Sequence, residues 1–357
     1  MKVLDDVKGI KKIDKSDMLD LILKFPDQCR HAFGIGKSFS VPRPYKEAQF
    51  KNMVFSGLGG SAIGADLIRS YLSGELKIPL FVSRDYTLPN FVDEDTLFFA
   101  CSYSGDTEET LASYDEARQR GAKILAISSG GKLEAKAKED GVPFISIPKG
   151  YPPRTALGYA FFPWLTVLSK FGFIDDKTKD IEEAISGIEG LRDGALKPEI
   201  KTAKNPAKKL AEALLAKYVI IYAANKHFDS VITRFRGQLE ENAKTLASTH
   251  VFPEMNHNET VGWENPKKLL KDFAVVFLRD ESEHPRVAKR MEITAGIIKK
   301  KSKVIEVRSK GKSLLSRMFY LIYLGDFASY YLAILNKRDP TPVEMVTYLK
   351  GELAKFK

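Results

Sequence analysis

The sequence predicts an α/β protein built from two doubly wound parallel sheets. Short apolar runs alternate with amphipathic helical stretches, the alternation stops at the polar, proline-containing segment Asp193–Pro206, and it then starts again. Strands that are joined through helices pair in parallel, because the chain crosses back over the sheet between them. A length of 357 residues accommodates two such units, at about 150 residues for each domain.

The first 45 residues are predicted to form a helical N-terminal arm. Apolar residues from Met18 to Phe25 follow a helical spacing, which we expect to end near Pro26. Residues 46–195 then form the first unit. Its predicted strands are Met53–Gly57, Leu80–Ser83, Leu97–Cys101, Ile124–Ser128 and Phe144–Ile147. Its predicted helices are Ala62–Tyr71, Thr107–Arg120, Leu133–Lys138, Leu157–Phe171 and Lys177–Leu191.

Residues 206–357 are predicted to form the second unit. Its predicted strands are Tyr218–Ala223, Ala274–Leu278 and Val304–Val307. Its predicted helices are Asp229–Lys244, Arg286–Lys300, a long apolar helix after Leu314 and a C-terminal helix from Thr341. The apolar run Met318–Leu335 approaches membrane-spanning length, but Asp326 at its centre and several Tyr and Ser residues predict a helix buried in protein. We therefore expect no membrane association.

Composition and charge narrow the class of protein. Apolar residues make up 44% of the chain and charged residues 29%, which is typical of a soluble globular protein. Lys and Arg exceed Asp and Glu by 10, so an anionic partner is expected. The run Lys299–Lys301 is interpreted as a solvated helix end, and nucleic acid is not expected. Cys29 and Cys101 are too few for a disulfide framework or a zinc site, and the N-terminus has no signal-peptide pattern, so we expect a cytoplasmic protein.

The glycine-rich segment Gly57–Gly64 follows the first predicted strand and opens a helix. Glycine lets the backbone turn sharply and approach a ligand, and a helix N-terminus favours an anion. The spacing Gly57-x-Gly59-x-x-Ala62 also fits a dinucleotide fingerprint, and Ser83-Arg84-Asp85 after the second strand does not decide the matter. A turn without a ligand, a sugar-phosphate site and a dinucleotide site all remain open at this point.

A second polar loop, Ser102–Glu109, follows the third predicted strand. In a flavodoxin-like sheet the first and third strands flank the point where the strand order reverses, so both loops open onto one crevice. Ser102, Ser104 and Thr107 supply three hydroxyl groups that can bind a phosphate. The alternative is helix capping through Asp106-x-x-Glu109. One capped helix explains one hydroxyl rather than three, so we favour a phosphate site.

These motifs together resemble a known family. GLGGSAIG after the first strand and SYSGDTEET after the third resemble the sugar isomerase (SIS) domain. The whole chain, including Ser129–Leu133 and Pro152–Gly158, resembles the bifunctional phosphoglucose/phosphomannose isomerases. The resemblance implies two tandem SIS subdomains. It also implies that the phosphate is held by the turn at Gly59, Gly60 and Ser61 and by Ser102, Ser104 and Thr107.

Isomerisation of an aldose to a ketose needs a base, a group that opens the sugar ring and a cation that stabilises the enediolate. Glu240 and Glu241 are adjacent on a predicted helix, so only one can face a site, and the apolar spacing does not choose between them. The resemblance assigns the base to Glu241, within Glu241–Lys244, and ring opening to His257, often from the neighbouring subunit of a dimer. Surface positions are the alternative for both side chains.

Two further positions come from the resemblance. Arg154, between Pro153 and a predicted helix start, would stabilise the charge at C1 and C2, with a plain surface arginine as the alternative. Thr341, in Asp339–Val343, would line the sugar pocket. Members of the family often carry a lysine seven residues after this threonine, where this chain has Tyr348, and Lys350 is nearby. The role of a lysine in ring opening therefore stays open.

The resulting prediction is an aldose–ketose isomerase that interconverts glucose 6-phosphate and mannose 6-phosphate with fructose 6-phosphate. Both aldoses give the same cis-enediol when the C2 proton leaves, so one base serves both. We expect no metal and no redox cofactor. We expect the protein to form a homodimer. Two other classes stay open: a sugar-phosphate sensor without catalysis, and an NADP-dependent oxidoreductase.

Overall fold

Two parallel sheets organise the chain. A computed structural model describes residues 3–356, so residues 1, 2 and 357 of the predicted arm and second unit lie outside the described part. The strands of the first sheet are β1 Asn52–Ser56, β2 Leu80–Ser83, β3 Thr96–Cys101, β4 Lys123–Ser128 and β5 Phe144–Ser146. Those of the second are β6 Tyr218–Ala224, β7 Ala247–Phe252, β8 Phe273–Arg279 and β9 Lys303–Arg308.

Helices precede, connect and follow these strands. Those of the N-terminal part are α1 Val7–Ile13, α2 Met18–Leu23, α3 Phe25–Ser38 and α4 Arg43–Lys46. Those of the first unit are α5 Gly59–Tyr71, α6 Glu108–Gln119, α7 Gly131–Glu139, α8 Leu157–Lys170 and α9 Thr178–Leu191. Those of the second are α10 Pro206–Leu214, α11 Asn225–Ala243, α12 Glu259–Gly262, α13 Lys267–Leu270, α14 Pro285–Lys299, α15 Leu314–Leu335 and α16 Glu344–Leu353. Single turns of 3-10 helix lie at Val3–Asp5, Pro153–Thr155 and Glu254–His257, and a π-helical turn lies at Arg192–Leu196.

The strand order confirms the predicted fold class. The first sheet has the order β2-β1-β3-β4-β5 and the second β7-β6-β8-β9, and all of the pairs are parallel. In each sheet the order reverses beside the first strand, as the doubly wound arrangement requires. Strand β7 was not predicted, because this edge strand is only partly buried and the polar residues Ser248, Thr249 and His250 interrupt its apolar residues.

The helix predicted to end near Pro26 is α2, which ends at Leu23. A second helix that was not predicted, α3, begins at Phe25, and Pro26 lies in its first turn, where a missing N–H leaves no helical hydrogen bond unmade. This helix packs against α8: the Gln28 side-chain amide donates to the Thr155 carbonyl (2.8 Å), and the Gly158 N–H donates to the Gln28 side-chain oxygen (2.9 Å). The N-terminal part is thus joined to the segment that follows β5.

Helix α15 is the centre of the second unit's packing. Among the described residues it is the one helix long and apolar enough to cross a membrane, yet 89% of its apolar window is buried inside the protein. Asp326 in its middle pairs with Arg234 of α11. The helix is therefore a core element, as the charge at its centre predicted.

Helices α5 and α11 pack against each other in opposite directions, and this places the candidate site. Arg69 and Ser70, near the end of α5, bond to Asp229, near the start of α11. Helix α5 begins at the carboxyl edge of the first sheet, so the end of α11 lies beside that edge. The last turn of α11 leads into β7 and hence marks the amino edge of the second sheet.

Candidate active site

The glycines after β1 have separate structural reasons. A Cβ atom on Gly57 would lie 2.7 Å from the Cys101 carbonyl oxygen, and one on Gly60 would lie 2.5 Å from that of Pro153. Both glycines therefore allow close backbone packing. Gly59 differs, because its φ is +50° and a Cβ there would meet nothing within 4 Å. The backbone at Gly59 is open to a ligand, whereas Gly57 and Gly60 set its position.

The loop after β3 is tied together by its own hydroxyl groups. The Ser102 and Thr107 hydroxyls are 2.9 Å apart, and the Ser102 oxygen also accepts from the Gly105 N–H (3.1 Å). The Ser104 oxygen accepts from the Asp106 N–H at 3.2 Å. The Ser61 hydroxyl accepts from the Tyr103 N–H (3.2 Å), which joins this loop to the glycine turn. Both predicted phosphate loops thus meet at one edge of the sheet.

The capping alternative for this loop was wrong. The residue before α6 is Thr107, not Asp106, and its side chain makes no capping hydrogen bond. The Asp106 carboxylate instead accepts from the Lys132 N–H, in the first turn of α7, at 3.0 Å. Helix capping therefore does not account for the hydroxyl groups of this loop.

A cleft of about 190 Å³ separates the glycine turn from α11. Its walls come from both units of the chain: Gly59, Gly60, Ile63, Arg84, Arg154, Thr233, Arg234, Arg236, Gly237, Gln238 and Glu241. The arrangement brings four of the predicted site residues together, namely Gly59, Gly60, Arg154 and Glu241. Arg84, Arg234 and Arg236 were not predicted as site residues, since nothing in their sequence spacing distinguishes them from surface arginines.

Arg154 lies buried at the end of the cleft, with 4% of its side chain exposed. Its Nε donates to the Asn242 side-chain oxygen (2.7 Å), and its Nη2 donates to the carbonyls of Pro340 and Thr341 (2.8 Å each). Its Nη1 donates to the Glu241 carboxylate at 3.3 Å. Burial lowers the pKa of Arg154, which Glu241 opposes, and a guanidinium remains charged in proteins. The cleft therefore holds a fixed positive charge beside Glu241.

The two adjacent glutamates have different surroundings. Glu241 lines the cleft and pairs with Arg154, and 43% of its side chain remains exposed. Glu240 lies near Arg236, with 3.8 Å between its carboxylate and the Arg236 Nε. Burial raises the pKa of Glu240, with Arg236 opposing the shift. Of the two, Glu241 is the carboxylate that a ligand in this cleft would meet.

Thr341 lies directly beside Arg154. Its carbonyl accepts from the guanidinium, whereas its buried hydroxyl has no hydrogen-bond partner among the described residues. The Lys244 amine holds the preceding residues in place by donating to the carbonyls of Asp339 (3.2 Å) and Pro340 (3.0 Å). Burial, followed by the charge of Arg154, lowers the pKa of Lys244 to about 8. Tyr348 and Lys350, the positions considered for ring opening, are exposed on α16.

His257 lies away from this cleft within one chain. It is exposed in the short turn Glu254–His257, just beyond the carboxyl end of β7, whereas Glu241 lies before the amino end of the same strand. Six strand residues span about 20 Å. One chain therefore does not bring His257 and Glu241 together.

The loops at the carboxyl edge of a 2-1-3-4-5 parallel sheet, which face a second doubly wound unit across the cleft, agree with the SIS class that the sequence motifs resemble. Two family models agree with this assignment. The SIS domain matches residues 48–148, and the bacterial phospho-glucose isomerase C-terminal SIS domain matches residues 203–353.

Relatives narrow the class further. The chain is 46% identical over 341 residues to the bifunctional phosphoglucose/phosphomannose isomerase of Caldicellulosiruptor bescii, which covers 95% of this chain and 100% of the relative. It is 38% identical over 310 residues to the protein of the same name from Aquifex aeolicus, and the match covers 86% of this chain and 91% of the relative. The chain belongs to the bifunctional phosphoglucose/phosphomannose isomerase family.

Solved structures share the fold at lower identity. A glucose-6-phosphate isomerase like protein from Thermus thermophilus superposes with a TM-score of 0.63 at 21% identity, covering 96% of this chain and 98% of that one. The C-terminal domain of glucosamine-fructose-6-phosphate aminotransferase from Francisella tularensis superposes with a TM-score of 0.70 at 17% identity, covering 91% of this chain and 98% of that one. These likenesses support the tandem doubly wound architecture.

Proposed function

We propose that the protein is an aldose–ketose isomerase that interconverts glucose 6-phosphate and mannose 6-phosphate with fructose 6-phosphate. The observation that carries the proposal is the pairing of Glu241 with the buried Arg154 across a cleft from the glycine turn. Membership of the isomerase family supports the same reaction. Such a reaction would serve glycolysis and gluconeogenesis, and we expect it in the cytoplasm.

The phosphate of the substrate binds at the carboxyl edge of the first sheet. Gly59 exposes backbone at the start of α5, and the N–H groups and dipole of this 13-residue helix favour an anion. Ser61, Ser102, Ser104 and Thr107 add hydroxyl donors. Ser61 and Ser104 accept from backbone N–H groups and can still donate, and Ser102 and Thr107 can replace their mutual hydrogen bond by bonds to phosphate oxygens. The anchored phosphate would direct C1 and C2 of the open sugar towards Glu241.

Glu241 acts as the base in this mechanism. The carboxylate takes the proton from C2 of the open-chain aldose, the C–H electron pair forms the C1–C2 double bond, and the carbonyl electrons pass to O1. A proton then passes from O2 to O1 of the enediolate, and return of the abstracted proton to C1, with formation of the C2 carbonyl, gives the ketose. Glucose and mannose phosphates differ only at C2, so removal of this proton gives one common intermediate.

Arg154 stabilises the charge of that intermediate. In the resting site its positive charge faces the Glu241 carboxylate at 3.3 Å. Proton abstraction neutralises Glu241 at the moment when negative charge appears on the enediolate. The guanidinium can then pair with the enediolate instead, which makes its interaction stronger in the transition state than with the neutral substrate.

His257 would open the sugar ring in the cleft of a second subunit. Its position at the opposite end of β7 from Glu241 supports a homodimer in which each cleft combines Glu241 of one subunit with His257 of the other. Histidine suits the role, since it donates or accepts a proton near neutral pH. His257→Ala should therefore reduce the rate on cyclic substrates more than on open-chain ones, and equal losses would contradict ring opening.

Mixed dimers test the shared site. Glu241→Gln and His257→Ala chains, each nearly inactive, are dissociated together and reassembled. Random pairing makes half of the dimers mixed, each with one fully native site, and restores about a quarter of the wild-type activity. Each variant reassembled alone is the control. Activity that stays absent although differently tagged chains co-purify would refute the shared site.

The reaction itself is tested by incubating the chain with fructose 6-phosphate and detecting glucose 6-phosphate and mannose 6-phosphate separately. Formation of both supports the proposal. Binding of fructose 6-phosphate without either product would overturn it in favour of a sugar-phosphate sensor.

A further inference from the structure

A closed circuit of hydrogen bonds connects Arg154 to the buried helix α15. The Arg154 Nε donates to the Asn242 oxygen (2.7 Å), the Asn242 amide donates to the Ser329 hydroxyl (3.0 Å), and that hydroxyl donates to the Asp326 carbonyl (2.8 Å). The Asp326 carboxylate accepts two bonds from Arg234 (3.0 and 2.9 Å), and Arg234 donates to the Arg154 carbonyl at 3.3 Å. Both the side chain and the backbone of Arg154 are thus held.

The carboxylate of this circuit is kept away from Arg154. Asp326 is buried, and its carboxylate accepts hydrogen bonds from Arg234 and from the Gln238 side-chain amide (2.8 Å). Only its backbone carbonyl belongs to the branch that leads to the Arg154 guanidinium, through Ser329 and Asn242. The negative charge of Asp326 is therefore compensated by Arg234 and not by Arg154.

The guanidinium of Arg154 is consequently held by uncharged oxygens. Three of its five N–H groups bond to the Asn242 amide and to the Pro340 and Thr341 carbonyls. In the described part of the chain its one carboxylate partner is Glu241. Amide oxygens fix its orientation without cancelling its charge, and in a buried site an uncancelled charge acts strongly on its neighbours.

We propose that Asn242 is a positioning residue that fixes Arg154 through a neutral acceptor and so keeps its charge available to the reacting carbons. The inference rests on the proposed isomerase function. An aspartate at this position would hold the guanidinium equally well in shape but would neutralise it before the enediolate forms. The Asn242 amide, which Ser329 holds in place, therefore orients the Arg154 guanidinium without compensating its charge.

Asn242→Asp tests this role, with Asn242→Ala beside it. We expect kcat for fructose 6-phosphate to fall about 10²-fold in the aspartate variant, the usual loss when one donor to a developing oxyanion is disabled. KM and competitive inhibition by inorganic phosphate should change less than about twofold, because the phosphate loops are untouched. The alanine variant keeps the charge of Arg154 and should retain more activity than the aspartate variant.

The matched control is Asn205→Asp. Asn205 is equally buried but caps α10, where its side chain accepts from the Ala207 and Lys208 N–H groups. The Asn205 amide also donates to the Leu196 (2.9 Å) and Lys197 (3.3 Å) carbonyls, and an aspartate cannot make these bonds. The substitution should therefore lower the melting temperature and leave kcat unchanged. Equal losses of kcat in both aspartate variants, or wild-type kcat in Asn242→Asp, would overturn the role of Asn242.

Ser329→Ala keeps the inference testable if Asn242→Asp does not fold. Removing the Ser329 hydroxyl frees the Asn242 amide, and we expect kcat to fall several-fold with KM unchanged; an unchanged kcat would overturn the proposal. A wild-type chain that does not turn over fructose 6-phosphate would instead overturn the isomerase function itself.

Discussion

The two sheets share a strand order but contribute to the cleft from opposite ends. The first contributes the loops at the carboxyl ends of β1 and β3, which is where doubly wound sheets usually bind ligands. The second contributes Glu241 from the last turn of α11, which leads to the amino end of β7. At its own carboxyl edge, Asn225–Asp229 contains no glycine and no serine. A repeated architecture therefore does not repeat the site.

The packing of α5 against α11 explains this difference. Because the two helices run in opposite directions, the bond from Arg69 to Asp229 at one end places the glycine turn beside Glu241 at the other. As proposed, each unit gives a distinct function to one cleft: anion binding from the first and proton transfer from the second. Three experiments examine this division.

Glu241→Gln should give the largest effect. The glutamine keeps the shape of the side chain but cannot take a proton, and loss of a general base costs about 10²- to 10⁴-fold in kcat. Binding of inorganic phosphate should remain, because the first unit is unchanged. Glu240→Gln is the control and should keep most of the activity. The reverse ranking of the two variants would move the base to Glu240.

Ser104→Ala with Thr107→Ala should have an intermediate effect, on KM. Hydrogen bonds to a charged group contribute about 1.5–3 kcal/mol each, so KM should rise at least tenfold while kcat falls less. Ser129→Ala removes another loop hydroxyl, which bonds to the Tyr103 carbonyl at 2.8 Å, and serves as the control with an unchanged KM. A wild-type KM in the double variant would contradict the proposal that this loop binds the phosphate.

His227→Ala should have the smallest effect and concern stability alone. His227 lies at the carboxyl edge of the second sheet and bonds to the Ser70 carbonyl at 2.8 Å, so its loss should cost about 1 kcal/mol of unfolding free energy and leave KM unchanged. A raised KM would show that this edge also binds substrate.

The same variant has a pH signature. Burial lowers the pKa of His227, so the unfolded chain binds this proton more readily than the folded one. Wild-type stability should therefore decrease as the pH falls through about 6.5, and this part of the decrease should be absent from His227→Ala in thermal melts across that range. If the stability of both proteins depended on pH in the same way, the loss of stability at low pH would have to come from other groups.

Local patterns were enough to predict the parallel strands of the first sheet and the glycine and hydroxyl loops. Apolar runs mark buried strands, and a turn that needs Gly59 or Gly105 shows its requirement in the residue itself. Strand β7 and the start of helix α3 were missed because each depends on its neighbours: an edge strand is covered on one side only, and a proline that follows the end of one helix can also lie in the first turn of the next.

The other arginines of the cleft and the side chains that support Arg154 could not be predicted. Arg84, Arg234 and Arg236 have no local signature, and Asn242 meets Arg154 across 88 residues of sequence. Asp326 was noticed in the apolar helix, but its partner Arg234 could not be identified from spacing. Contacts between distant segments depend on how helices pack, and helix packing is a property of complete surfaces rather than of short motifs.

The sequence by itself determined the fold class and the positions of the glycine and hydroxyl loops, because strand periodicity, glycine turns and hydroxyl loops are local features. Only the tertiary structure decided which glutamate meets Arg154, which end of the second sheet faces the cleft, and that His257 lies beyond the reach of its own chain's Glu241. The physical reason is that direction and distance between elements arise from the antiparallel packing of α5 on α11, and no single segment encodes that packing.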